Sequence, residues 1–315
     1  MLPDWALPGD PALACGALLL GLLLDLAYPE HRGILLRIHP VAIAFSLARR
    51  LAPPYSSKLR GVVATALVMA AILAPAGLAL YIAWMIGPAV WLLVAGLIVK
   101  LSIPVRLLLD TVARVARSLG EGRLAEARMT VQGIVRRETS SLGPGHVASA
   151  AIESLSESLV DGITSPLLWY TIAGPLGALA QRTANTLDGA LGYKTPEYRD
   201  PGWASARLDT IMNLIPARIT AMLTVILAPL VGLSMRGALR TWTRFHSQIE
   251  SLNAGHIMSA YAGALKVRLE KPGSYTLGEG RLPEAREIWL ALRLTILIIV
   301  FSYMAVLVLC MYRSP

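Results

Sequence analysis

Charge-free apolar blocks alternate along the chain with stretches dense in arginine, and that alternation predicts a bundle of membrane-spanning helices. A helix that crosses a bilayer needs about 20 mostly apolar residues. Residues 11–28 meet this narrowly, with Asp25 near the end. Gly61 to Val99 holds no charged residue, which gives room for spans at about 61–86 and 89–108. Gly87-Pro88 is the natural turn between them, because proline cannot continue the preceding helix. Residues 288–312 form another span, interrupted only by Arg293. Two further stretches, 162–181 and 216–235, are apolar but carry Pro166, Gly174-Pro175 and Pro216. Each reads either as a full span or as a broken, re-entrant half-helix, which is tolerated where protein or a polar cavity covers the backbone.

The remaining segments are helical without being spanning. From Leu107 to Leu119 apolar residues recur at helical spacing among Arg114 and Arg117, the pattern of a basic amphipathic helix. Gly120 to Arg128 reads as a turn into a second helix, residues 140–145 as a loop, and a third helix begins near His146. The expected fold is therefore all-α: a polytopic membrane protein with about four full spans, two broken or re-entrant helices and cytoplasmic amphipathic helices. One domain, 1–315, would contain a site-bearing core at 146–220.

Composition agrees with a lipid environment. Only 16% of the 315 residues are charged and the mean hydropathy is +0.57, whereas soluble domains carry about a quarter charged residues. A net charge of +9 would suit nucleic acid, but the basic residues cluster between apolar segments, which fits anionic headgroups and the positive-inside rule better. Residues 1–24 contain no Lys or Arg, while 29–60, 106–160 and 236–287 are basic. The basic segments are expected in the cytoplasm, with the N-terminus outside. Asp4 and Asp10, rather than basic residues, precede the first apolar run, so it reads as a retained anchor and not as a signal peptide. Cys15 and Cys310 give no disulfide framework, and five scattered histidines give no zinc spacing.

Three constellations carry candidate chemistry. Glu153, Glu157 and Asp161 recur every fourth residue and share one helical face, within reach of a single cation. Mg²⁺ held by carboxylates together with substrate phosphates would offset their mutual repulsion; the competing reading is a solvated acidic face paired with Arg136 or Arg137. Next, Asn185 to Tyr193-Lys194 contains two glycines three apart, followed by Arg199. That pattern suits close approach of backbone to phosphate, although it is not a Walker A loop, and an ordinary helix end with a glycine turn explains it about as well. Finally, Arg207, Asp209, Asn213 and Arg218 lie at the edge of lipid, where unpaired charge is costly and ionisable groups mark a site by default. His39 before Pro40, and Asn253-Ala254-Gly255, read more simply as turns.

Together these blocks resemble the adenosylcobinamide-phosphate synthase family of cobalamin biosynthesis, also called CobD/CbiB. The likeness is densest at ESLSESLVDGITSPLLWY (153–170), NTLDGALGYKTPEY (185–198) and GWASARLDTIMNLIPARIT (202–220), and continues at 39–41, 136–142 and 253–265. Ser158, Glu138 and Thr210 depart from the family's usual Asn, Asp and Asp, and its Gly-Asp-Pro does not follow Asp25. The resemblance implies ATP-dependent amide ligation of adenosylcobyric acid, a cobalt corrinoid acting as substrate, with aminopropanol or its phosphate. In that reading Glu153, Glu157 and Asp161 hold Mg²⁺; Asp188 or Asp209, with Lys194, carry the catalysis. Asn185, Tyr193, Arg199, Arg207, Asn213, Arg218 and His39 bind substrate and phosphate. ATP and corrinoids are cytoplasmic, which favours the re-entrant topology and a site in the cell membrane opening inward. The expected partners are these small molecules and lipid, not nucleic acid; a homo-oligomer or association with later membrane enzymes of the pathway is compatible. A Mg²⁺-dependent transferase acting on lipid-linked phosphates, and a transporter with a midplane site, are the alternatives. The first would need paired DxxxD-type blocks and the second an inverted repeat, neither of which the sequence contains.

Overall fold

The computed structural model describes residues 3–312. In chain order the helices are α1 (Pro11–Ala27), α2 (Ile34–Arg37), α3 (Pro40–Leu51), α4 (Lys58–Ile86), α5 (Pro88–Ser102), α6 (Val105–Gly120), α7 (Leu124–Gln132) and α8 (Pro144–Leu159). A π-helical turn, Val160–Thr164, leads into α9 (Ser165–Leu191), followed by α10 (Trp203–Leu227), α11 (Met235–Phe245) and α12 (Ala254–Leu265). A hairpin of β1 (Leu269–Lys271) and β2 (Tyr275–Leu277) precedes α13 (Ala285–Met311). The hairpin is antiparallel, pairing Leu269 with Leu277 and Lys271 with Tyr275. These six strand residues, too short for a period-2 signal, were not expected in an all-α chain.

Among the described residues, four helices are long and apolar enough to cross a membrane: Lys58–Ile86, Pro88–Gly120, Trp203–Val231 and Ala285–Met311. Three coincide with the expected spans at 61–86, 89–108 and 288–312. The second of these is interrupted at Ile103-Pro104, where Ile103 takes extended dihedrals, so the apolar span passes into the amphipathic helix α6. The helix at 11–28 forms as α1, but its 17 residues span only about 26 Å at 1.5 Å per residue, against a hydrocarbon core of about 30 Å.

The fourth long helix decides 216–235 for the full-span reading but moves its start. Instead of beginning at Pro216, helix α10 runs through it from Trp203. Proline has no N–H for the carbonyl four residues earlier, and that carbonyl, Met212 O, is satisfied instead by Trp169 Nε1 at 3.0 Å and Ser165 Oγ at 3.4 Å. The stretch 162–181 does break. Ala173 and Gly174 leave helical geometry, with Gly174 at φ +61°, and Pro175 starts the second segment of α9. A Cβ on Gly174 would also lie 2.4 Å from the Ala6 carbonyl oxygen, so both dihedral and space demand glycine.

Where the sequence reads as one domain, the structure packs as two units. The first comprises residues up to Val105, Asp161–Asn213 and the chain from Tyr303 on. In it α1 packs along α5, and α3, α4 and α9 pack on one another. Trp91, fully buried, donates its indole N–H to the Trp5 carbonyl at 2.8 Å, and Tyr170 donates to the Ala14 carbonyl at 2.7 Å. Gly61 of α4 lies against the loop before α10: a Cβ there would stand 2.1 Å from the Pro201 carbonyl oxygen. Gly61→Val is therefore expected to abolish the folded protein, read as loss of the monodisperse peak in detergent chromatography. A normal peak with unchanged unfolding temperature would contradict this packing.

The second unit comprises Arg106–Val160 and Leu214–Ser302. Helices α11 and α12 pack against each other, and α8 contacts α7, α12 and the hairpin. Tyr261 and Thr295, both buried, share a hydrogen bond of 2.7 Å between α12 and α13.

Candidate active site

The first unit gathers polar side chains from three consecutive elements. Asp161 sits on the π-helical turn, a local widening often found at functional sites. Asn185 projects from α9, and Asp209 and Asn213, four apart, from one face of α10. The Asn185 amide nitrogen lies 3.2 Å from Asp161 Oδ2 and 3.2 Å from Asp209 Oδ1, so one donor group joins two carboxylates. Asn213 donates to the same Asp209 oxygen at 3.0 Å, and Gln181 donates to Asn213 Oδ1 at 3.1 Å. Gln181 and Asn213 are buried, while Asp161, Asn185 and Asp209 are half-buried. Buried amides fix the orientation of partly accessible acids, as a preorganised acid pair requires.

Asp188 lies one turn beyond Asn185 on α9. Its carboxylate explains Gly192, where a Cβ would fall 1.9 Å from Asp188 Oδ1. A Cβ on Gly189 would meet nothing within 4 Å. Gly192 therefore ends the helix and makes room for Asp188, whereas Gly189 inside α9 does neither. Tyr193 packs near Tyr198, ring centroids 5.7 Å apart, and the Arg49 guanidinium covers Tyr198 at 4.8 Å. Lys194, Arg199 and Arg207 are exposed on this unit.

The expected metal triad does not assemble. Glu153 and Glu157 belong to the second unit and Asp161 to the first. Among the described residues no three His, Cys, Asp or Glu side chains are grouped to hold a metal ion. Glu153 is buried and its carboxylate is engaged by protein: Arg137 donates at 2.8 and 3.1 Å, Ser149 Oγ at 2.6 Å and Tyr275 OH at 2.7 Å. Glu157 is exposed. Spacing placed them on one face, but a bidentate arginine sixteen residues earlier claimed the first. Ser149 also receives the Glu270 N–H at 2.7 Å, which ties α8 to the hairpin. Burial, then the Glu153 carboxylate, hold the Tyr275 phenol far above its usual pKa, so it remains a donor.

Arg218 is likewise in the second unit, donating to Leu214 O at 2.6 Å and Asn253 Oδ1 at 3.4 Å. Asn253, read as a turn residue, is buried at the start of α12. Beyond it His256 accepts the Trp242 indole N–H at 2.8 Å and stacks on His246, centroids 4.7 Å apart.

His39 caps α3, its Nδ1 accepting the Val41 N–H at 3.2 Å. Burial first, then His31, Arg182 and Lys100, push its pKa down to about 4. Burial, Arg218 and His246 do the same to His256, also to about 4. A base whose folded pKa lies below its unfolded 6.5 binds fewer protons folded than unfolded inside that window. Its stabilising contribution is complete above 6.5 and is lost as pH falls towards 4. The unfolding temperature should therefore drop by several degrees from pH 6.5 to 4, and His39→Gln should flatten part of that slope. An identical slope in the variant would show that His39 is not the group responsible.

Sequence reasoning missed Gln181, Arg182 and Lys100. The available signal was a polar pair closing an apolar stretch at 181–182 and a lysine ending a charge-free one at 100.

The sequence profile of the family described as CobD/Cbib protein matches residues 18–295. The chain belongs to the CobD/Cbib family. It is 48% identical over 275 residues to the "Probable cobalamin biosynthesis protein CobD" of Aeropyrum pernix, covering 87% of this chain and 86% of the relative. The protein of the same description from Methanothermobacter thermautotrophicus is 37% identical over 265 residues, 83% and 86% of the two chains. The "Cobalamin biosynthesis protein CobD" of Pelobacter propionicus is 36% identical over 265 residues, 82% and 80% of the two. No solved structure matches the chain. The CobD/Cbib match takes in the whole of the Asp161–Asn185–Asp209 centre.

Proposed function

We propose that this membrane protein of the CobD/Cbib family performs a step of cobalamin biosynthesis: the ATP-dependent joining of a corrinoid carboxylic acid, adenosylcobyric acid, to aminopropanol or its phosphate. Relatives named for cobalamin biosynthesis support the pathway. The observation that carries the chemistry is the acid pair Asp161 and Asp209 joined through Asn185.

Amide formation needs the carboxylate made electrophilic and the amine deprotonated. The substrate carboxylate oxygen attacks the terminal phosphorus of ATP, giving an acyl phosphate and ADP. The amine nitrogen then attacks the acyl carbon: a C–N bond forms, the C–O bond to phosphate breaks, and the amine proton passes to a carboxylate. Asp188 or Asp209 takes that proton. Asn185 and Asn213 hold Asp209 in one orientation, so its basic oxygen needs no reorganisation.

The donor set fits Mg²⁺ of the phosphate-bound kind, which uses one or two carboxylates plus substrate oxygens rather than an all-protein cage. Asp161 would hold it together with substrate oxygens, and its charge would neutralise transferring phosphate. Exposed Lys194, Arg199 and Arg207 on the same unit supply cationic groups for substrate anions.

The test is reconstitution in nanodiscs with corrinoid acid, ATP, Mg²⁺ and either amine, reading the amide product and ADP by mass spectrometry. Corrinoid amide formed only with ATP supports the proposal. Turnover of a lipid diphosphate with no corrinoid product would replace it with the transferase reading.

A further inference from the structure

A second polar cluster lies in the first unit, outside the acid pair. Lys100, at the end of α5, is only 6% exposed. Its ammonium lies 3.0 and 3.3 Å from the two ring nitrogens of His31 and 5.6 Å from the centre of the Tyr28 ring. The His31 and His39 rings meet at 4.8 Å. Arg182 of α9 faces the same place, close enough for its charge, like that of Lys100, to act on His39. The acids that face these cations are Asp25, towards Lys100, and Asp161, towards Arg182.

Two features of Arg182 point to a missing occupant. Its Nε is buried with no hydrogen-bond partner among the described residues, and a buried donor left unpaired is costly. Beside it stands Gly162, buried and without a side chain: a Cβ there would sit 3.8 Å from Arg182 Nη1 and 3.8 Å from the Pro104 ring. Gly162 thus brings its backbone close beside the guanidinium, in ordinary packing distance. His39 adds a donor, because Nδ1 accepts from Val41 and the neutral ring's proton is then on Nε2.

We propose that Arg182, His39, His31 and Lys100 form a receptor for a phosphate-class oxyanion. Arg182 supplies the planar fork that suits tetrahedral oxyanions, and Lys100 supplies a point charge behind His31. Through Asp161 the receptor adjoins the acid pair, so a phosphate held here is delivered next to the carboxylates. As the subsite for the phosphates of the ligation it rests on the proposed function; as an anion site it stands on its own geometry. A bound anion also offsets the positive surroundings of His39 and raises its pKa.

The experiment uses the full chain in nanodiscs without corrinoid, titrated with sodium tripolyphosphate in one arm and inorganic phosphate in the other. Both report on one site; tighter binding of tripolyphosphate identifies a nucleotide-type polyphosphate, and equal or tighter binding of phosphate a monophosphate. Arg182→Gln is expected to weaken binding by roughly tenfold or more, from lost charge-assisted bonds. The exposed Arg37→Gln, with the same change in net charge, leaves it unaltered. Wild-type affinity in Arg182→Gln would overturn the receptor. Should that variant not fold, histidine NMR of the wild type decides: the His39 pKa rises when the anion is added, and an unmoved value overturns the receptor. Anion binding with this dependence but no amide product would leave the receptor standing and sink the ligase. Ligation with an unchanged nucleotide KM in Arg182→Gln would do the reverse.

Discussion

Arg137→Met should lower stability by about 3–5 kcal/mol, the usual cost of removing one partner from a buried ion pair. The Glu153 carboxylate would lose both guanidinium bonds and keep only Ser149 and Tyr275. Two hydroxyl donors do not compensate a full charge in a site where the glutamate side chain is 6% exposed and the arginine 13%. The double variant Arg137→Met, Glu153→Leu should regain much of the loss, because paired apolar replacements of a buried ion pair are often neutral or better. Thermal unfolding in detergent of wild type, both single variants and the double variant gives the coupling. An Arg137→Met protein as stable as wild type would mean the pair is not buried as described. Glu153→Gln carries the complementary information: a structural Glu153 predicts weakened folding with an unchanged Mg²⁺ requirement, whereas a metal ligand would alter the requirement itself.

Glu153 also shows where a sequence stops being legible. Helical spacing says that Glu153 and Glu157 share a face, and they do. It offers Arg136 or Arg137 as a partner beside the metal reading, and Arg137 is the one that binds; it cannot choose between those readings, because burial and Tyr275, on a hairpin far downstream, decide it. The membrane helices were legible for the opposite reason: lipid acts on each apolar segment separately, so α4 and α13 announce themselves by composition alone. Pro216 misled because a local rule, that proline ends a helix, was overridden by Trp169 and Ser165, which satisfy the carbonyl it orphans. Gly174-Pro175 followed the rule because the Ala6 backbone occupies the space a side chain would need. Within the candidate site, Asp161, Asn185, Asp209 and Asn213 were all chosen from sequence, and the structure joins them. Gln181 and Arg182 are not legible in the sequence, because single polar residues at the end of an apolar stretch look like its boundary.

Asp209→Asn and Asp161→Asn should each cost roughly 10²–10⁴ in kcat, the range spanned by loss of a positioned acid or base. The two losses should not have the same form. Asp209 accepts from both Asn185 and Asn213, so it is the more firmly oriented carboxylate and the better proton acceptor. Its loss should fall on kcat. Asp161 lies towards Arg182, so its loss should appear in the apparent affinity for ATP and Mg²⁺ as well as in kcat. Asn185→Ala separates geometry from charge: both carboxylates remain, but their common donor is gone and their repulsion is unbridged. An intermediate loss of about 10–10² is expected, from misplacement alone. Steady-state kinetics with unfolding temperatures as the folding control measure all three. Full activity in both aspartate variants would remove the acid pair from the mechanism. Equal losses in kcat alone for all three would instead assign the cluster a purely structural role, since only a catalytic pair distinguishes the acid that moves the proton from the acid that steadies the phosphate.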